Sequence, residues 1–118
     1  MIEYLDLKVN IDEDEVTFRL KPMLHKRAMK TLHKFMGAIS DCSGNIMLIP
    51  YDTLDEIAQE VFKNAFVEFN NGEPPIELKE YDKYFGDKLD VFYETVAQAM
   101  RINCPDFFRR MEKKAATL

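Results

Sequence analysis

The sequence predicts an α+β fold, mainly α, in which an N-terminal β-hairpin packs with three main amphipathic helices and one or two short helices. Three observations support this. Residues 4–20 hold two runs of apolar–polar alternation around an acidic stretch. Residues 23–36, 52–69 and 88–103 each repeat apolar side chains at the spacing of a helix with one buried face. Apolar residues make up 47% and charged residues 31% of the 118, the balance of a chain with a core rather than a disordered one. That length predicts a single domain over 1–118.

The hairpin comes first. In YLDLKVNI, Leu5, Leu7, Val9 and Ile11 share one face, while Tyr4, Asp6, Lys8 and Asn10 share the other. VTFRL turns Val16, Phe18 and Leu20 inward. Between them lies Asp12-Glu13-Asp14-Glu15. A calcium or magnesium site would need spaced oxygens and a glycine for the bend, and this run has neither. It reads as a solvated turn, with its type left open.

Pro22 fits the first turn of a helix. Residues 23–36 then align Leu24, Ala28, Leu32, Phe35 and Met36, with Met29 beside them, and Gly37 is placed to end the helix. The opposite face carries Lys26, Arg27, Lys30 and Lys34. Residues 38–51 form a connector with turn chemistry at Asp41–Asn45. Its apolar run Ile46–Ile49 is compatible with a third strand or a buried lead into the next helix.

The stretch 52–69 is the expected centre of the core. Leu54, Ile57, Ala58, Val61, Phe62, Ala65, Phe66 and Phe69 recur at helical spacing. Thr53 and Glu56 stand at capping-box spacing, Asp52 is a second candidate cap, and Asn70-Asn71-Gly72 is the expected stop. After Pro74-Pro75, a short helix is expected to start at Pro75 and end at Gly86. It carries Ile76, Leu78, Tyr81, Tyr84 and Phe85 among charges, which suits either an exposed aromatic surface for a partner protein or a lid over the core. Residues 88–103, capped by Asp87, align Leu89, Phe92, Val96, Ala99 and Met100, with Tyr93 and Ile102 beside them. Pro105 ends this helix, and a last one follows with Asp106 as cap. The expected core is Leu7, Val9, Phe18, Leu20, Leu32, Ile57, Val61, Phe62, Phe66, Phe92, Val96 and Met100.

Little in the chain points to catalysis. No GxGxxG, Walker loop, CxxC pair, HExxH or GxSxG motif is present. His25 and His33 have no further ligands at metal spacing. Cys42 has no activating local signature for thiol catalysis. No catalytic residue, cofactor or metal is therefore predicted. MIEYLDLK lacks the basic and apolar regions of a secretory signal, and no run approaches the ~18 apolar residues of a membrane span. Cys42 and Cys104 then read as free thiols in a reducing cytosol.

The net charge is −5 and uneven: residues 21–40 carry +5, whereas residues 1–20 and 41–90 carry −4 and −8. The acidic total opposes general nucleic-acid binding. The basic face of 23–36 is expected to pair with acidic parts of the same protein or a partner protein.

The order of elements resembles a known family. A hairpin leads through RLKPMLHKRAMKTLHKFMG to TLDEIAQEVFKNAF, an acidic segment, LDVFYETVAQAM and a terminal FFRRMEKKA. This layout resembles the tail assembly chaperones of long-tailed (siphovirus-type) phages, and the resemblance covers most of the chain. It implies a non-enzymatic, cytoplasmic protein that coats the tape measure protein during tail assembly. It also implies a longer product made by ribosomal frameshifting near the end of the reading frame, where Lys113-Lys114 would be encoded. On this reading the expected partner contacts are Tyr81, Tyr84, Phe85, Phe107, Phe108, Arg109 and Arg110, with self-association through exposed aromatics. A second reading is an acidic inhibitor, immunity or antitoxin-like protein that blocks one basic target stoichiometrically. A third is a small enzyme or nucleic-acid binder that uses the basic helix.

Overall fold

A two-residue turn at Asp12-Glu13 joins β1 (Leu5–Ile11) to β2 (Asp14–Leu20). Both turn residues take positive φ, 52° and 71°, the sign pattern of a type I′ turn, whose twist matches that of paired strands. Asp14 and Glu15 therefore belong to β2 and not to a loop. The computed structural model describes residues 3–69 and 72–117. Within them the hairpin is half of a four-stranded antiparallel sheet in the order β1-β2-β3-β4. The added strands are β3 (Phe66–Phe69) and β4 (Ile76–Glu77).

The expected helix over 52–69 is thus two elements. Helix α2 runs Tyr51–Val61 and closes with the Phe62 amide donating to the Ala58 carbonyl. Asn64 then takes φ 59°, a left-handed position that Asn tolerates, and the chain reverses. Ala65, Phe66 and Phe69 fit a helical stripe, but Val67 settles the period. Ala65 and Val67 are fully buried, while Phe66 between them points the other way. β3 pairs Val67 with Phe18 and Phe66 with Arg19, so Phe66 lies on the outer sheet face, half-buried, and not in the core. The expected stop at Asn70-Asn71 lies outside the described residues.

The caps also differ. α2 begins after Pro50, so Asp52 and Thr53 sit inside its first turn, and Glu56 pairs with Lys34 at 2.6 Å rather than closing a capping box. Helix α1 spans His25–Asp41, which puts Pro22 before the helix and Gly37 inside it. It ends where the Gly44 amide donates to Ile39 at 2.9 Å and the Ser43 amide to Ser40 at 3.2 Å, both residues having positive φ. That is a Schellman closure, seven residues beyond the glycine that the sequence pointed to. Leu24, at the N-cap, is 81% exposed. Residues Ile46–Leu48 form a 3-10 turn, neither strand nor α-helix, and the Asn45 side chain accepts from the Met47 amide.

Pro75 leads into β4 instead of a helix. Helix α3 is only Asp82–Phe85, ended by Gly86 at φ 56°. Helix α4 (Leu89–Asn103) starts after Lys88, and Asp87 makes no cap. Lys88 instead reaches Asp12 at 2.8 Å, tying the hairpin turn to α4, and this hydrogen bond raises the Lys88 pKa above its ordinary value. Leu89, at the helix start, is about half exposed. Helix α5 (Pro105–Thr117) has Pro105 in its first position, where proline is tolerated, and Asp106 pairs with Arg109 at 2.7 Å.

The core lies between the inner sheet face and α2, α3 and α4, and α1 packs on α2. Of the expected core residues, all but Val9 and Phe66 are buried. Rings join its parts. Phe18 of β2 stacks on Phe85 at 5.7 Å and touches Phe62 at 5.6 Å, and Phe92 lies against Phe85, Tyr81 and Tyr51. The Tyr93 hydroxyl donates to the Ile49 carbonyl at 2.6 Å, fixing the 3-10 turn to α4.

A side chain at Glu13 costs energy in its left-handed position. Glu13→Gly is expected to raise the unfolding free energy by about 1 kcal/mol, read from the urea midpoint, because Asp12 keeps its bond to Lys88. An unchanged or lowered midpoint would contradict the turn geometry.

Candidate functional site

The sequence-predicted contact residues fall in two places. Phe85 is buried at 2% exposure between Phe18 and Phe92. Tyr81 is half-buried, stacked on Phe92, and its hydroxyl donates to the Asp55 carboxylate. Tyr84 packs against Phe69 at 5.7 Å. These rings seal the sheet end of the core and do not form an exposed cluster. The second group is on α5. Phe107 and Phe108 are half-buried against each other, and Arg109 and Arg110 are exposed.

The basic face of α1 meets α2. Arg27 lies 3.0 Å from Glu60 and also donates to the Glu60 main-chain carbonyl at 2.9 Å, and Lys34 meets Glu56. Two of the four basic residues therefore face acids of the same chain. Such partly exposed pairs are worth about 0–1 kcal/mol each, and they lower the local positive field. His25 and His33 are exposed, and no group of three or more metal-binding side chains comes together among the described residues. Cys42 and Cys104 are free thiols. Cys104 is buried, and desolvation pushes its pKa up. His33, Asp41 and Cys42 line one shallow hollow, but among the described residues no hydrogen bond joins them.

A concavity with a mainly apolar lining lies elsewhere. The second half of α1, the 3-10 turn, α4 and the start of α5 enclose a cleft of about 510 Å³. Phe35, Ile39, Ile46, Ala97 and Phe108 make its apolar lining, with Met47 exposed at the mouth. Asp90, Glu94, Gln98 and Arg101 form a polar edge along α4. The spacing 90, 94, 97, 98, 101 places these on one stripe of the helix. Phe108 is held by two contacts. Its ring meets Phe35 at 6.5 Å, and the Arg101 guanidinium sits 5.6 Å above it. Arg101 also pairs with Glu112 at 3.0 Å, so one residue links α4 to α5 twice. Only Phe108 of the predicted contacts enters this cleft. Ile39 escaped the sequence reading because Gly37 was taken to end α1 before it, whereas Ile46 belonged to an apolar run whose structure the sequence left open.

Comparison with models of protein families, with curated proteins and with solved structures finds no match. Among the described residues, no helix is long and apolar enough to cross a membrane. The burial of Cys104 gives a chemical check on this end of the molecule, since α5 starts directly after it. A disulfide reagent at pH 8 is expected to titrate Cys42 in the native protein and Cys104 only after denaturant is added. Equal rates for both would mean that the α4–α5 junction opens readily.

Proposed function

We propose that this chain is a non-enzymatic assembly chaperone resembling the phage tail assembly chaperones. It would hold helical segments of a tape measure protein, in the cytoplasm of an infected host. The observation that supports this is the cleft between α1, the 3-10 turn, α4 and α5. An apolar floor with a polar edge suits one face of an amphipathic helix, anchored through side chains at i, i+3, i+4 and i+7. Asp90 and Glu94 favour basic residues beside that apolar stripe. Such recognition needs no catalytic residue. It repeats along a long helical target, which is what coating requires. Nucleic acid is the weaker partner, because Arg27 and Lys34 of the basic helix already face glutamates.

The test is co-expression with the product of an adjacent long, coiled-coil-rich reading frame. Several copies of this chain are expected on each partner molecule. Met47→Asp, an exposed substitution at the mouth, is expected to weaken capture by at least about tenfold while leaving circular dichroism unchanged. A single-copy complex with a compact target would overturn the reading in favour of a stoichiometric inhibitor. Capture unaffected by Met47→Asp would remove the cleft from it.

A further inference from the structure

The free edge of β1 is built to pair with itself. The two-residue turn fixes which of its backbone groups are used. Ile11 and Asp14 flank that turn as a bonded pair, so Val9, Leu7 and Leu5 bond inward to β2 by alternation. Asp6, Lys8 and Asn10 then point their N–H and C=O groups away from the sheet. β1 is the outermost strand, and among the described residues no element pairs with it on that side. A groove follows this edge, with Leu7–Asn10 on one wall and Val91, Glu94, Thr95 and Gln98 of α4 on the other. Val9 and Val91, which line the groove, and Leu5 on the same strand face as Val9, pack against the core yet are only half-buried.

We propose that a second copy of this chain occupies the groove, its β1 antiparallel to the first across a twofold axis at Leu7, making one continuous eight-stranded sheet. The side chains select this occupant. In the Leu7-centred register, Asp6 of each copy faces Lys8 of the other, and these are the bonded pairs that exchange main-chain hydrogen bonds. On the core side, Leu5 faces Val9, which covers two half-buried side chains beside Val91, and Leu7 faces Leu7. Shifting the axis to Lys8 sets lysine against lysine, and shifting it to Asp6 sets aspartate against aspartate. A slip of one residue in pairing turns every apolar side chain to the wrong face. The edge is therefore complementary to itself in charge, face and hydrogen bonding together. The groove and the cleft bordered by α5 share Glu94 and Gln98 on α4, but the variants differ, Asp6 and Lys8 here against Met47 there, so the failure of one proposal is distinguishable from the failure of the other.

Sedimentation equilibrium on the intact chain tests it, with three variants. The wild type is expected to be a dimer. Asp6→Lys and Lys8→Asp, each alone, are expected to raise the dissociation constant at least about tenfold, because each sets two like-charge pairs across the axis. The double exchange, Asp6→Lys with Lys8→Asp, is expected to restore dimerisation to within about threefold of wild type. Unfolding midpoints of the variants separate loss of pairing from loss of fold. A wild-type monomer at millimolar concentration would overturn the proposal. So would single variants that dimerise as wild type, or a double exchange that stays monomeric while folded.

Discussion

Phe92 is the side chain on which the packing converges. Its ring lies 5.2 Å from Phe85, 5.6 Å from Tyr81 and 5.9 Å from Tyr51, centroid to centroid. Phe85 passes the contact to Phe18 in the middle of the sheet, and Tyr81 passes it to Phe62 at the end of α2. Both ends of α2, the sheet, α3 and α4 thus meet at one set of rings. Each aromatic pair adds about 0.5–1.5 kcal/mol beyond the area it buries, and the shared ring makes these gains interdependent. The α3 segment is short and rich in charge. It stays on the molecule because Phe85 and Tyr81 are inserted into this set.

Backbone reversals set the topology around those rings. Among the described residues, Asp12, Glu13, Ser43 and Asn64 take positive φ without being glycine. Each stands at a change of direction: the hairpin turn, the end of α1, and the passage from α2 to β3. These sites explain which elements were legible in the sequence. The hairpin and α4 were readable because their periodicity runs unbroken and nothing competes with it. The stretch 52–69 was not, because Ala65, Phe66 and Phe69 fit helical spacing while Ala65, Val67 and Phe69 fit alternation. The open edge of β2 decided the matter by taking β3 as its neighbour, a long-range demand that no local window contains. α1 was read as too short for a similar reason. Gly37 resembles a helix stop, but the left-handed closure needs Ser43 and Gly44 together.

The surfaces were less legible than the core. The segment 76–86 fitted an exposed aromatic surface or a lid over the core equally well, and Phe85 and Tyr81 turn inward as a lid does. The cleft draws on Phe35, Ile46, Ala97 and Phe108, which come from four elements that meet only in the folded chain. The edge of β1 shows the opposite case. Its alternation was evident, but its self-complementarity appears only once the two-residue turn assigns which amides face outward. Both proposed binding surfaces are therefore made by topology rather than by any one stretch of sequence.

Replacement of Phe92 by alanine tests the account most directly, followed by urea unfolding read from both the amide circular dichroism and the tyrosine fluorescence. The ring set is the joint between sheet and helices, so the loss is expected to reach about 3–5 kcal/mol, with both signals moving in one transition. A loss below about 1 kcal/mol, or sheet and helices unfolding separately in the parent protein, would contradict the claim that these rings hold the fold together.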